Sequence, residues 1–221
     1  MGKLLKYEEY EVDDEIIEKD KLFSVYVFGL PRSGTSMMTH IIELLGVNMI
    51  YTSEKKEKKE RNKKRYKEKY GEYHPNPTGF YEITEDTTNF LLKVVSKPYS
   101  GCKMIIPVNS FRWDLVKKYP SKVIMMKREP EEIRQSQMAY YRSGNITIEV
   151  IRTQLAMQKL RLENHKIDHM QIDYHNVLDD PIKVINEIAE FINAPNSIDE
   201  AVKSVQPKQN RFKKEQLHAG L

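Results

Sequence analysis

Phe23-Ser-Val-Tyr-Val-Phe28 runs directly into Gly29-Leu-Pro-Arg-Ser-Gly-Thr-Ser36, and behind it Met37, Met38, Ile41, Ile42, Leu44 and Leu45 recur at helical spacing. A short apolar β run, a glycine-bearing turn and an amphipathic pattern predict strand, loop and helix. In such a unit the loop's backbone N–H groups and the helix N-terminus form an anion site. Arg32 adds positive charge from inside the loop. The plain alternative is an ordinary βα turn with an incidental pair of glycines.

Gly29 and Gly34 have the spacing of the Walker A glycines, but Thr35 stands where a nucleotide-hydrolysing P-loop carries its lysine. The loop is therefore built for a phosphate without the residue that grips the β- and γ-phosphates of ATP.

The bulk properties narrow the class. A chain of 221 residues fits one domain with a sizeable core, and no internal repeat is visible. Hydrophobic residues make up 39% and charged residues 31%, the balance of a globular protein with a polar surface. One cysteine, Cys102, excludes an internal disulfide and agrees with a reducing compartment. No apolar run approaches the roughly 18–20 residues a membrane helix needs. Lys3-Leu-Leu-Lys-Tyr-Glu-Glu has no long apolar region, so a secretory signal is not expected and a cytoplasmic location is.

The net charge of +4 is unevenly spread. Residues 7 to 20 are mostly acidic, whereas Lys55 to Lys69 holds ten Lys or Arg against Glu57, Glu60 and Glu68. That block is read as a solvated, mixed-charge face, with an electrostatic collar for a polyanion as its sharper alternative. No recognised nucleic-acid-binding module surrounds it.

Along the chain, Val47 to Tyr51 reads as a second strand, and His74-Pro-Asn-Pro-Thr-Gly79 as turn-rich. Ile83 to Val95 reads as helix, Lys103 to Pro107 as a third strand, and Phe111 to Tyr119 as helix. Lys122 to Lys127 is a fourth strand, and Pro130 opens a helix reaching about Arg142. Thr147 to His165 is a long amphipathic helix, Met170 to Tyr174 a last strand, and Ile182 to Phe191 a helix after Pro181. Strands alternating with helices predict an α/β fold of three layers, a mostly parallel sheet flanked by helices. The expected organisation is an acidic extension over 1–21, the main domain over 22–193 with a basic, turn-rich insertion at 54–80, and a tail over 194–221 packing near the anion site. That tail has weak periodicity and a basic stretch, Lys208 to Lys214.

Three segments resemble the sulfotransferases that use 3′-phosphoadenosine-5′-phosphosulfate (PAPS), in their bacterial or viral branch. Leu30-Pro-Arg-Ser-Gly-Thr35 looks like the family's 5′-phosphosulfate loop. Lys127-Arg128-Glu-Pro-Glu-Glu-Ile-Arg-Gln-Ser136 is similar to its 3′-phosphate segment, an arginine ending a strand with a serine eight positions later on the next helix. Ile172-Asp-Tyr-His-Asn-Val-Leu-Asp-Asp-Pro181 is similar to its C-terminal strand–helix. The resemblance implies a P-loop type fold and sulfuryl transfer from PAPS to a hydroxyl or amine acceptor, with 3′-phosphoadenosine-5′-phosphate (PAP) as product. It implies donor contacts by Arg32, Ser33, Gly34, Thr35, Ser36, Arg128 and Ser136. Pro207-Lys-Gln-Asn-Arg211 faintly resembles a late segment that returns a basic residue, Arg211, to the nucleotide.

The chemistry makes the same demand. A nucleotide with a 5′-phosphosulfate and a 3′-phosphate needs two separated anion sites, one with a cation where leaving-group charge develops. Arg32 is the expected catalytic cation. A sulfuryl group carries less charge than a phosphoryl group, so no metal is expected to be required; Ser36 remains a residue that could serve one.

The acceptor must lose a proton, which calls for a base. Asn76-Pro-Thr-Gly-Phe-Tyr-Glu82 resembles a segment of bacterial sulfotransferases that carries an acidic residue, so Glu82 is the expected base and His74 the runner-up. Glu82 as a carboxylate at a helix start is the competing role. Cys102 is read as a small buried side chain and Lys103 as a surface lysine, with help at the sulfuryl oxygens as its other role. Trp113 and Tyr140 are read as core aromatics, with adenine stacking open to both. The rival functions are a P-loop kinase-like phosphotransferase, disfavoured by Thr35, and a polyanion- or nucleic-acid-binding protein with a degenerate P-loop.

Overall fold

A computed structural model describes residues 23–50, 91, 94, 95, 97, 99–105, 113–141 and 146–205. Among them the strands are β1 (Ser24–Phe28), β2 (Asn48–Met49), β3 (Ser100–Met104), β4 (Ser121–Lys127) and β5 (Asp168–Asp173). They pair in the order β2-β3-β1-β4-β5, every neighbouring pair parallel. The helices are α1 (Thr35–Leu44), α2 (Trp113–Lys118), α3 (Pro130–Tyr141), α4 (Ile148–Asn164), α5 (Tyr174–Asp179), α6 (Pro181–Phe191) and α7 (Asp199–Ser204).

The alternation of strand side chains divides the core into two layers. Val25, Val27, Ile124 and Met126 share one cluster with Met38, Ile41 and Ile42 of α1 and Ile185 and Ile188 of α6. Tyr26, Phe28, Val123 and Met125 lie in a second cluster with Cys102, Met104, Val116 and Leu162. Each fully buried side chain of this size contributes roughly 1.5–3 kcal/mol of burial free energy. The sheet is thus covered on both faces, as its continuous apolar strands require.

Strand order positions the site. From β1 the chain passes through α1, on one face, towards β2. From β4 it passes through α3 and α4, with α4 on the other face, to β5 at the opposite edge. The connections leaving the adjacent strands β1 and β4 therefore part in opposite directions, and a crevice opens at their carboxyl ends. There Phe28 pairs with Met125.

The expected α/β architecture is present, with several altered boundaries. β3 runs from Ser100 to Met104 instead of Lys103 to Pro107. Gly101 pairs with Val25, where an added Cβ would lie 2.2 Å from the Val25 carbonyl oxygen, so close strand approach requires a residue of poor strand propensity. β2 is shorter than expected. Two short helices were not expected. α5 follows β5 at once because the Asp173 carboxylate caps the N–H of His175 at 2.9 Å. α7 lies in the tail and buries Ala201 in the same cluster as α1. The acidic segment 1–21, the insertion 54–80 and the stretch Lys208 to Lys214 lie outside the described residues, as does most of the helix expected over 83–95.

Candidate functional site

The loop between β1 and α1 is held by its own contacts. Ser33 Oγ donates to the Leu30 carbonyl oxygen at 2.8 Å, and the Ser33 N–H donates to the same oxygen at 3.1 Å. Gly29 leaves room for this closure, since a Cβ there would lie 2.5 Å from Ser33 Oγ and 2.7 Å from Thr35 Cγ2. Gly34 turns the chain into α1 with φ 96°, and a Cβ on it would strike the Tyr174 ring at 2.5 Å. Arg32, at φ 74°, adopts the same left-handed region without being glycine. A non-glycine residue there is a local cost that clusters at binding sites.

The first N–H groups of a helix have no acceptor within it. At α1 the N-cap residue is Gly34, which has no side chain to cap them, and the first turn holds no acidic residue. The positive end of the helix dipole therefore faces the crevice without a neutralising side chain from its own helix. Lys103, from β3, adds a cation to this end: its Nζ donates to Ser36 Oγ at 3.2 Å. Lys103 is buried, only 4% exposed, which corrects the expectation of a surface lysine. A lysine in a strand reads as exposed until the sheet order shows β3 beside β1.

The second loop follows β4. Arg128 and Ser136 are both buried, and both face the first loop. Arg32 Nε donates to Ser136 Oγ at 3.0 Å, and Arg128 Nη1 donates to the Arg32 carbonyl oxygen at 3.1 Å. Gln137 Nε2 donates to the Pro31 carbonyl oxygen at 3.0 Å, so α3 grips the loop at two successive positions. The Arg128 guanidinium carbon lies 4.4 Å from the centroid of the Tyr174 ring. Arg128 Nε donates to Glu132 Oε2 at 2.8 Å, and His175 Nε2 lies 2.9 Å from both Glu132 oxygens.

The structure thus brings Arg32, Ser33, Gly34, Thr35, Ser36, Arg128 and Ser136 to one sheet edge. Glu82, His74 and Arg211 lie outside the described residues, as does the side chain of Tyr140. Trp113 stacks on His165 at 4.9 Å and meets Phe28 edge-on at 5.9 Å, so it packs over the second core layer. Burial, then Lys117 and Arg161, hold His165 below its ordinary pKa. Cys102 is fully buried, and burial pushes its thiol far above the usual range. Among the described residues no group of three His, Cys, Asp or Glu could hold a metal ion, and no helix is long and apolar enough to cross a membrane.

Sequence reasoning missed Gln137, Glu132, His175 and the place of Tyr174 beneath Gly34. Glu132 stands four residues after Arg128, which is a usable local signal. Its contact to His175 spans 43 residues and leaves no trace in spacing.

A family model described as a sulfotransferase domain matches residues 24–213. Among solved structures, the mouse sulfotransferase SULT7A1 complexed with PAP is similar at 18% identity and a TM-score of 0.53, covering 88% of this chain and 68% of that one. The sulfotransferase domain of a Synechococcus olefin synthase shares 12% identity with a TM-score of 0.47, over 89% of this chain and 82% of that one. An unliganded Janibacter sugar kinase shares 13% identity with a TM-score of 0.45, over 80% of this chain and 98% of that one. The likeness to the mouse protein shows a shared fold. No curated protein matches the sequence.

Proposed function

The chain belongs to the sulfotransferase domain family, and from that premise we propose that it moves the sulfuryl group of PAPS to a hydroxyl, or an amine, of an acceptor. One observation carries the reading. Two arginines from separate loops meet at the carboxyl ends of β1 and β4, where Arg128 bonds the Arg32 backbone and Arg32 bonds Ser136. A donor with phosphates at both ends of its ribose needs two such sites a short distance apart. The PAP carried by the mouse protein supports the same donor.

The residues fit the group. Gly29 and Gly34 keep the cradle clear of side chains of their own, and the start of α1, whose N-cap is a glycine, offers N–H donors. The donor, when bound, supplies an activated sulfuryl group and a bisphosphate leaving group. Ser33, Gly34, Thr35 and Ser36 hold the 5′ end through the loop and the start of α1. Lys103 and Arg32 place positive charge where charge grows in the transition state. Arg128 and Ser136 take the 3′-phosphate, and Arg211 is the further basic contact to the nucleotide that the family resemblance implies. Glu82 takes the acceptor's proton, with His74 as the alternative base. Loose, in-line transfer of this kind is helped mainly by positioning and electrostatics, by analogy with phosphoryl transfer. No metal is required in this scheme, and a cytoplasmic location, in keeping with the single cysteine, belongs to the same proposal.

The test is a donor comparison. Phenolic, sugar and amine acceptors are incubated with the enzyme and either PAPS or ATP with magnesium, and products are separated by mass spectrometry. Product with PAPS alone supports the proposal; product with ATP alone makes the chain a phosphotransferase.

A further inference from the structure

We propose that Glu132 is the positioning residue that makes the second anion site selective for a 3′-phosphorylated nucleotide, acting through Arg128. The inference rests on the donor reading above and adds a residue to it. Glu132 sits in the first turn of α3, with no exposed surface. A carboxylate buried so deeply is costly unless it is paired and hydrogen-bonded. Here it receives Arg128 Nε at 2.8 Å on one side and lies 2.9 Å from His175 Nε2 on the other.

The consequence falls on the guanidinium plane. Glu132 holds it at Nε, the Arg32 carbonyl oxygen at Nη1, and the Tyr174 ring along its face. Recognition of a phosphate by a planar guanidinium depends on that plane's direction, whereas a flexible point charge would bind any nearby anion. His175 makes the arrangement mutual. It follows Tyr174 at the start of α5, so the carboxylate that orients Arg128 also anchors the helix carrying the ring beneath it. The Glu132 carboxylate thus joins Arg128, four residues before it, to His175, 43 residues after it.

Calorimetric titration of the full chain with PAP and with 5′-AMP tests this. The wild-type chain should prefer PAP. Glu132→Gln keeps the side-chain shape but removes the charge, and should weaken PAP binding by roughly tenfold, the scale of a hydrogen bond between charged groups. Affinity for 5′-AMP should stay within about twofold, because that ligand lacks the phosphate Arg128 meets. In an Arg128→Ala background the same change should have no further effect on the PAP preference. If Glu132→Gln does not fold, His175→Gln loosens the carboxylate from its other side and should reduce the preference by about threefold. A folded Glu132→Gln chain with the full wild-type preference overturns the proposal alone, as does an undiminished preference in His175→Gln where that variant has to stand in. A wild-type chain that binds both nucleotides equally removes the donor reading and this proposal with it.

Discussion

Arg32 and Ser136, 104 residues apart in the chain, meet where Nε of the first donates to Oγ of the second across 3.0 Å. The sequence reading gave them different tasks, one at the sulfuryl group and one at the 3′-phosphate. Their contact joins the two proposed anion sites, since the same arginine's carbonyl oxygen receives Arg128. Arg32→Ala should lower kcat by roughly two to three orders of magnitude, the loss typical of one preorganised partner of developing charge, and should change donor affinity less. Steady-state kinetics beside calorimetry separates the two. Unchanged kcat with weakened donor binding would return Arg32 to a ground-state phosphate contact.

Gly34→Ala should damage both stability and binding. Its left-handed backbone costs a residue with a Cβ about 1–2 kcal/mol, and the added carbon would strike the Tyr174 ring at 2.5 Å. Gly46→Ala is the control, because Gly46 shares the conformation at φ 99° but faces Pro195 and Asn196. Both variants should unfold at lower temperature by thermal denaturation, and only Gly34→Ala should lose PAP affinity. Equal affinity in the two would remove the loop from the nucleotide site.

Cys102 should serve as an internal reporter of global unfolding. It pairs with Tyr26 in the middle of the sheet, is fully buried, and its thiol is pushed up by burial, so the reactive thiolate is suppressed. Labelling by a thiol reagent should be slow in buffer and should follow the same denaturant midpoint as circular dichroism. Rapid labelling of the folded chain would contradict a central place for β3.

Glu82→Gln should leave folding and donor affinity nearly unchanged while lowering sulfuryl transfer, because it removes a proton acceptor and keeps the shape. If His74 is the base instead, His74→Ala carries the loss, and the pH–rate profile of the wild-type enzyme bends in the range of a histidine instead of a carboxylate. Assays of both variants against pH with a phenolic or sugar acceptor distinguish them. An active Glu82→Gln beside an inactive His74→Ala overturns the assignment, and two active variants dismiss both.

How much of this was readable depended on whether the signal was local. The Phe23–Ser36 segment carried strand alternation, loop glycines and helix period in one stretch, and β1, its loop and α1 formed as that pattern predicts. Arg128 and Ser136 were legible through Pro130, which marks where α3 begins. The start of β3 was misplaced because Gly101 is a poor strand former kept there by close approach to β1. α5 and α7 have six residues each, too few for a helical period to emerge. Three helices end on left-handed residues, Gly46, Lys166 and Asn193, and of these Lys166 carries no stop signal in its residue type. The burial of Lys103 and the Glu132–His175 contact could not be read, since they come from sheet order and from contacts between distant elements; for Lys103 the sequence offered a role at the sulfuryl oxygens only as the alternative to a surface lysine.

The most direct measurement is thermal unfolding of the full chain with PAP, 5′-AMP and ATP with magnesium, each at matched concentration. PAP at 100 times its dissociation constant should stabilise the fold by about 2.7 kcal/mol. At the same concentration 5′-AMP should stabilise it less, and ATP with magnesium should leave it near the unliganded value. Equal stabilisation by PAP and 5′-AMP would contradict the 3′-phosphate site at Arg128 and Ser136, and stabilisation by ATP with magnesium alone would contradict the sulfuryl donor.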